Sequence, residues 1–302
     1  MTPTRIDRLV VFGQIAQDLA LAVDELPAVG ASADVGEARW LLGGKGANQA
    51  VGLRQLGAGV AAVGVVGDDA IGAAMIAALE HDGVDVAGVV RRGATSVLLD
   101  VVDPDADRML FEHTPASALL TPDDVERAAR SVREADTVCL QAQQPGDALL
   151  VAARLARRSG SLVALDGAPD ATFAEELVSC AHIVRADAAE AEMLVGFALS
   201  DVAAGREACR LLRERGPSVV AVQVKGEGDL VASTAGTTFR PYGQHETVVD
   251  RTGGGDAFFA GLVRGTGLGW SLERTADLAA RAAASVVARL GGRPDLGGMI
   301  AD

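Results

Sequence analysis

Short runs of apolar and β-branched residues alternate along this chain with longer stretches in which Ala and Leu recur at helical spacing. The short runs, at 9–12, 60–66, 137–141, 162–165, 182–184 and 218–224, have the length and character of buried strands. The longer stretches predict helices over 47–56, 71–80, 147–158, 201–215, 257–264 and 272–290. Another helix is expected from Thr121, whose hydroxyl can cap the first turn, with Pro122 at the first helical position and Asp123 and Asp124 complementing the dipole. Strands that alternate with helices in this way imply an α/β fold, a doubly wound and mostly parallel sheet with helices on both faces. Residues 14–40 and 94–115 break the alternation, the second reading as a hairpin around Asp103 to Asp107. With no repeat, low-complexity tract or linker, the expectation is a single domain over 1–302 carrying a small β-strand lid made of those two segments.

The apolar runs fall well short of the roughly 20 residues that a membrane helix needs, and no signal peptide is apparent, so a cytoplasmic protein without a membrane partner is expected. A formal charge of −14 and few aromatic residues exclude a nucleic-acid partner, because a polyphosphate backbone calls for an excess of Lys and Arg. A small anion is still admissible if backbone donors, a metal ion or a few placed cations hold it. Cys139, Cys180 and Cys209 lack metal-type spacing and are expected to be small buried apolar residues. Lys45 and Lys225, the only two lysines, each precede a glycine.

Glycine-rich turns carry the candidate chemistry. Residues 250–261 read DRTGGGDAFFAG and follow a run at 246–249 that is expected to be a strand. Gly253, Gly254 and Gly255 bring bare backbone to a helix start, where unpaired N–H groups and the dipole favour an anion such as phosphate. Asp256 follows in the first turn, where a carboxylate can take a proton from an attacking hydroxyl. Residues 42–51 read LGGKGANQAV, which is not a P-loop, since Lys45 precedes Gly46 where that motif needs Ser or Thr. Its glycines allow a polar ligand to come close, with Lys45 and Asn48 as donors to hydroxyls. GAGVAA at 57–62 fits a dinucleotide pattern but follows a helix and precedes a strand, so it reads as a helix C-cap. On residues alone, both glycine clusters could also be plain helix-start turns, Asp18 a solvated residue, Glu190 a helix-surface charge and Asp250 a turn cap.

Taken together, GGKGANQAV and DRTGGGDAF resemble the two signatures of the ribokinase-like (phosphofructokinase-B type) carbohydrate kinases, nearest to the ribokinase type. The likeness spans nearly the whole chain, through GQIAQD at 13–18, GDDAIG at 67–72, RADAAEAEMLVG at 185–196 and RLGGRP at 289–294. It implies ATP- and Mg²⁺-dependent transfer of phosphate to a sugar hydroxymethyl, with Asp256 as base and the backbone of Gly253 to Gly255 stabilising the transferred group. Sugar contacts are implied for Asp18, Gly43, Gly44, Lys45, Asn48 and Gln143. Nucleotide contacts are implied for Asp187, Lys225, Gly226, Gly228 and Asp229, and a water-mediated Mg²⁺ contact for Glu190. A monovalent cation, K⁺, is implied behind the anion hole, held by Asp250 and by backbone oxygens of Thr252, Val286, Arg289 and Gly291. The likeness also implies a small-molecule sugar as substrate and a homodimer through the lid.

This sequence departs from the family pattern at several of these positions. Asp187 stands where an asparagine is usual, and Asp229 replaces the second glycine of the nucleotide-side turn. Ala16 replaces an asparagine that the ribokinase type offers to its sugar, and Gln143 replaces a glutamate, so D-ribose is not the expected preferred acceptor. Two rivals are a nucleoside (riboside) kinase, disfavoured by the scarcity of aromatics to stack a base, and a non-catalytic sugar- or nucleotide-binding regulator, disfavoured by Asp256.

Overall fold

The computed structural model describes residues 7–243 and 247–300. In chain order its strands are β1 (Arg8–Phe12), β2 (Ala16–Val23), β3 (Val35–Gly43), β4 (Gly59–Val66), β5 (Asp85–Arg91), β6 (Ser96–Val102), β7 (Arg108–His113), β8 (Thr137–Gln141), β9 (Leu162–Asp166), β10 (Ile183–Ala186), β11 (Val219–Val224), β12 (Gly228–Ser233) and β13 (Gly236–Pro241). Its helices are α1 (Lys45–Gln55), α2 (Ala70–His81), α3 (Pro122–Arg127), α4 (Ala129–Glu134), α5 (Gly146–Ser159), α6 (Ala171–Cys180), α7 (Ala188–Val195), α8 (Val202–Glu214), α9 (Gly254–Gly267) and α10 (Leu272–Val287).

Nine strands form the main sheet in the order β13-β12-β11-β10-β9-β8-β1-β4-β5. Its pairs are parallel from β11 through to β5, and only β12 and β13 run antiparallel at one edge. Alternation along β1 shows why helices cover both faces. Leu9 and Val11 join a core with α1, α2, α9 and α10, whereas Val10 and Phe12 join another with α3, α5, α6 and α8. A strand buried on both faces reads as a continuous apolar run, and this is why the central strands are legible in the sequence.

Residues 16–43 and 96–113 build a second sheet of four strands, in the order β3-β2-β6-β7. The expected hairpin is β6–β7, closed around Asp103, whose carboxylate accepts from the N–H groups of Asp105 and Asp107 at 3.0 Å each. Register puts Leu41, Asp18, Leu98 and Glu112 in one row across this sheet and Arg39, Ala20, Asp100 and Leu110 in the next, all on one face. The opposite face carries the rows Trp40, Leu19, Leu99, Phe111 and Ala38, Leu21, Val101, Met109.

Several expectations need correction. Thr247–Val249 form no strand: the N–H of Val249 instead donates to the carbonyl of Val287 at 2.7 Å, tying the approach to the glycine turn onto the end of α10. Glu246, the first residue of that expected strand, lies outside the described residues. Helix α9 starts at Gly254, three residues ahead of the expected 257, because the glycines themselves enter the helix. Helix α10 ends at Val287 rather than 290. Thr121 caps α3 as expected, accepting from the N–H of Asp124 in a capping box. Cys139 and Cys209 are buried, while Cys180 is only partly so. Among the described residues no helix is long and apolar enough to cross a membrane.

Candidate active site

The carboxyl ends of β8, β9 and β10 face the starts of α1, α7 and α9, the place where open parallel sheets hold their ligands. Gly253 caps α9 in the left-handed conformation, with φ of 75°, and a Cβ there would stand 2.1 Å from the carbonyl oxygen of Gly292. Only glycine fits both demands. Asp256 sits in the first turn of α9, 6% exposed. Its Oδ2 accepts from Asn48 Nδ2 and its Oδ1 from Gln49 Nε2, each at 3.1 Å. Burial pushes its pKa up, while Lys45, the two amides and Arg185 work against that.

Both amides come from the start of α1, which Gly44 caps with φ of 84°. Gln49 Nε2 also donates to Asp166 Oδ2 at 2.8 Å, at the end of β9. Asp166 Oδ1 accepts in turn from Arg185 Nη1 at 3.2 Å. Lys45 Nζ lies 3.4 Å from Glu190 Oε1. Burial disfavours the ammonium, but Asp166, Glu190 and Asp256 outweigh it and raise the Lys45 pKa. Asp187 and Glu190 form a capping box on α7: Asp187 Oδ1 accepts from the N–H of Glu190 and Glu190 Oε2 from the N–H of Asp187, both at 2.8 Å. Residues from five separate elements, α1, α7, α9, β9 and β10, thus converge in one connected network.

Asp18 comes to the site from β2 in the second sheet. A Cβ on Gly43 would fall 1.9 Å from its carboxyl carbon, so Gly43 leaves the space that the carboxyl fills. The Asp18 side chain is buried, and its Oδ1 has no hydrogen-bond partner among the described residues. Burial, followed by repulsion from Asp100 and Asp256, pushes its pKa up to about 8. Asp100, on the same face, is pushed up to about 6 by burial, with Arg108 opposing. Arg108 Nη1 lies 3.4 Å from Asp100 Oδ1 and donates to Thr252 Oγ1 at 2.8 Å, linking the second sheet to the glycine turn.

The remaining expected residues lie around this network. Lys225, Gly226, Gly228 and Asp229 form or flank the tight turn between β11 and β12, with Lys225 and Gly226 exposed. Burial pushes Asp229 up to about 6, and Arg185 is the cation that opposes it. Asp250 is fully buried; its Oδ1 accepts from the N–H of Thr252 and its Oδ2 from the N–H of Gly291, both at 2.8 Å. Val286 and Arg289 stand beside it at the end of α10, where the N–H of Arg289 donates to the carbonyl of Val286 at 3.2 Å. Gln143 is not joined to the network: it is exposed on the turn after β8. The buried glutamine at that strand end is Gln141, whose two amide atoms have no hydrogen-bond partner among the described residues. Gln49, Asp166, Arg185, Asp100 and Arg108 were not singled out from the sequence. For all but Gln49, which lies in α1, the available signal is a polar or charged residue on a strand, where an apolar one is the norm.

A glycine-capped helix start with a buried carboxylate in its first turn, and Lys and Arg close by, suits a phosphotransferase that uses an alcohol acceptor. Comparison with known proteins makes the class specific: the chain belongs to the pfkB family of carbohydrate kinases, whose model matches residues 6–296. It is 31% identical to ribokinase of Mus musculus over 84% of this chain and 80% of that one. It is 28% identical to ribokinase of Haemophilus influenzae, over 84% of each. Among solved structures, Arabidopsis thaliana ribokinase complexed with ribose and ATP superposes with a TM-score of 0.78 at 25% identity, over 96% of each chain.

Proposed function

We propose that the protein transfers the γ-phosphoryl group of ATP to a hydroxymethyl group of a sugar or sugar-like alcohol, with Asp256 as general base. The observation that carries this is Asp256 itself, buried in the first turn of α9 directly after the Gly253 cap and held by two amides from α1. Asp256 takes the proton of the acceptor hydroxyl as its oxygen bonds to the γ-phosphorus, and the bond to the β–γ bridging oxygen breaks to release ADP. The N–H groups at Gly253 to Gly255 steady the charge on the moving group. Asp18, Gly43, Gly44, Lys45 and Asn48 line the acceptor side. Asp187, Lys225, Gly226, Gly228 and Asp229 serve the nucleotide.

Among the described residues no group of three or more His, Cys, Asp or Glu side chains could hold a metal ion. This fits Mg²⁺ bound through phosphate and water, with Glu190 as an outer contact, where the ion would neutralise phosphate charge. Asp250 fits a K⁺ site, because it is fully buried and accepts from the N–H groups of Thr252 and Gly291, between the glycine turn and the segment after α10. Its ion, with backbone oxygens of Thr252, Val286, Arg289 and Gly291, would stiffen the glycine turn. Residues 14–40 and 94–115 act as a lid on one kinase domain, in a cytoplasmic enzyme. The acceptor is a sugar other than D-ribose, since Ala16, at the start of β2, offers no side-chain hydrogen bond. A coupled ADP-release screen over pentoses, hexoses, sugar acids and nucleosides tests this. Highest kcat/KM with D-ribose would refute the choice of acceptor, and ADP release with none of them would refute the kinase assignment.

A further inference from the structure

Arg185 lies at the centre of the network, yet no step so far uses it. It belongs to β10, and its side chain is 9% exposed. Its one hydrogen bond among the described residues is that from Nη1 to Asp166, although a guanidinium carries five N–H donors in a fixed fork. Nη1 is also 3.9 Å from Glu190 Oε2. A Cβ on Gly255 would lie 2.7 Å from Nη2, 2.9 Å from Nη1 and 3.0 Å from Cζ, so the face of the guanidinium rests against the glycine turn itself, with Nη2 nearest and without a partner among the described residues. A buried arginine that served only to neutralise Asp166 would have no need of that approach. A largely buried guanidinium with donors free at the turn is ready to bind an anion brought there.

We propose that Arg185 is a further catalytic residue, which donates from Nη2 to a non-bridging oxygen of the phosphoryl group in flight. This rests on the kinase function proposed above. In that step the acceptor O–P bond forms as the P–O bond to the bridging oxygen breaks. The acceptor proton passes to Asp256, ADP leaves with the bridging electron pair, and Arg185 keeps its own protons. Charge in this transition state is spread over the non-bridging oxygens, where a fixed donor outside water is most effective. Asp166 acts as a positioning residue, holding the fork by Nη1 against the glycine turn and leaving Nη2 free to donate.

The test compares wild type with Arg185→Ala, and also with Arg185→Ala/Asp166→Asn, which leaves no unpaired buried carboxylate if the single variant folds poorly. With the best acceptor, kcat is expected to fall about 10²- to 10³-fold in a folded variant, with acceptor KM changed by less than about threefold. Calorimetric binding supplies a second readout: the β,γ-imido analogue of ATP should lose about tenfold in affinity while ADP loses little, because only the analogue carries the third phosphate. A folded variant with kcat within about threefold of wild type, or with equal losses for ADP and the analogue, overturns the role of Arg185. Failure of the wild-type protein to release ADP with any acceptor would instead overturn the kinase assignment on which the role rests.

Discussion

Asp18 is a carboxyl group kept in a place that suits its protonated form. Its pKa in the fold is about 8 and that of Asp100 about 6, against roughly 4 in an unfolded chain. Between those values the folded state binds more protons than the unfolded one, so stability falls as pH rises from about 4 through 8. The melting temperature of the ligand-free protein is therefore expected to drop between pH 5 and pH 8, and Asp18→Asn should remove much of that slope. An unchanged slope in the variant would mean that Asp18 ionises freely. At this scale legibility in the sequence was uneven. Asp256, Asn48 and Lys45 stand in short motifs whose chemistry can be named from residue types, and all three meet in space. Gln49 sits inside the same motif but reads as an ordinary helical residue until its reach to both Asp256 and Asp166 is seen. Gln143 and Gln141 show the limit of counting along a strand: the chain turns directly after β8, which buries Gln141 and leaves Gln143 exposed.

At the scale of elements, the central strands and the long helices are legible because burial on both faces gives β-branched runs and amphipathic helices need a 3.6-residue period. The edge strand β13 is not, since solvent on one side admits polar residues and weakens the pattern. The expected strand fails over Thr247–Val249 for another reason: its β-branched residues signal extended backbone, but the N–H of Val249 pairs with the end of α10. Helix α7 tests how cap and chemistry are combined. Asn and Asp cap helices about equally well, so Asp187→Asn should leave the melting temperature close to wild type, while Asp187→Ala costs about 1 kcal/mol. A large loss of stability in Asp187→Asn would show that the carboxylate charge, and not the cap, holds this end of α7 in place.

Across the whole molecule, the second sheet buries one face over the site and leaves the other apolar and open, with Trp40 61% exposed, Phe111 58% and Met109 40%. Those rows are in register across all four strands, and a flat apolar sheet face of this kind needs cover. A second copy of the chain is the expected cover, through the lid. Sedimentation should give a dimer for wild type and a monomer for Trp40→Lys/Phe111→Lys, and a monomeric wild type would rule this surface out. The fold as a whole was legible because its strand–helix alternation and two glycine signatures agree, whereas the contact between Arg185 and Gly255 joins residues some seventy positions apart and is visible only in three dimensions. The most direct test of the central claim is ADP release by wild type and Asp256→Asn, with the acceptor of highest kcat/KM and with folding checked by circular dichroism. Turnover by the folded variant is expected to fall by about 10²- to 10⁴-fold; turnover equal to wild type, with chemistry rate-limiting, would contradict the assignment of Asp256 as the base.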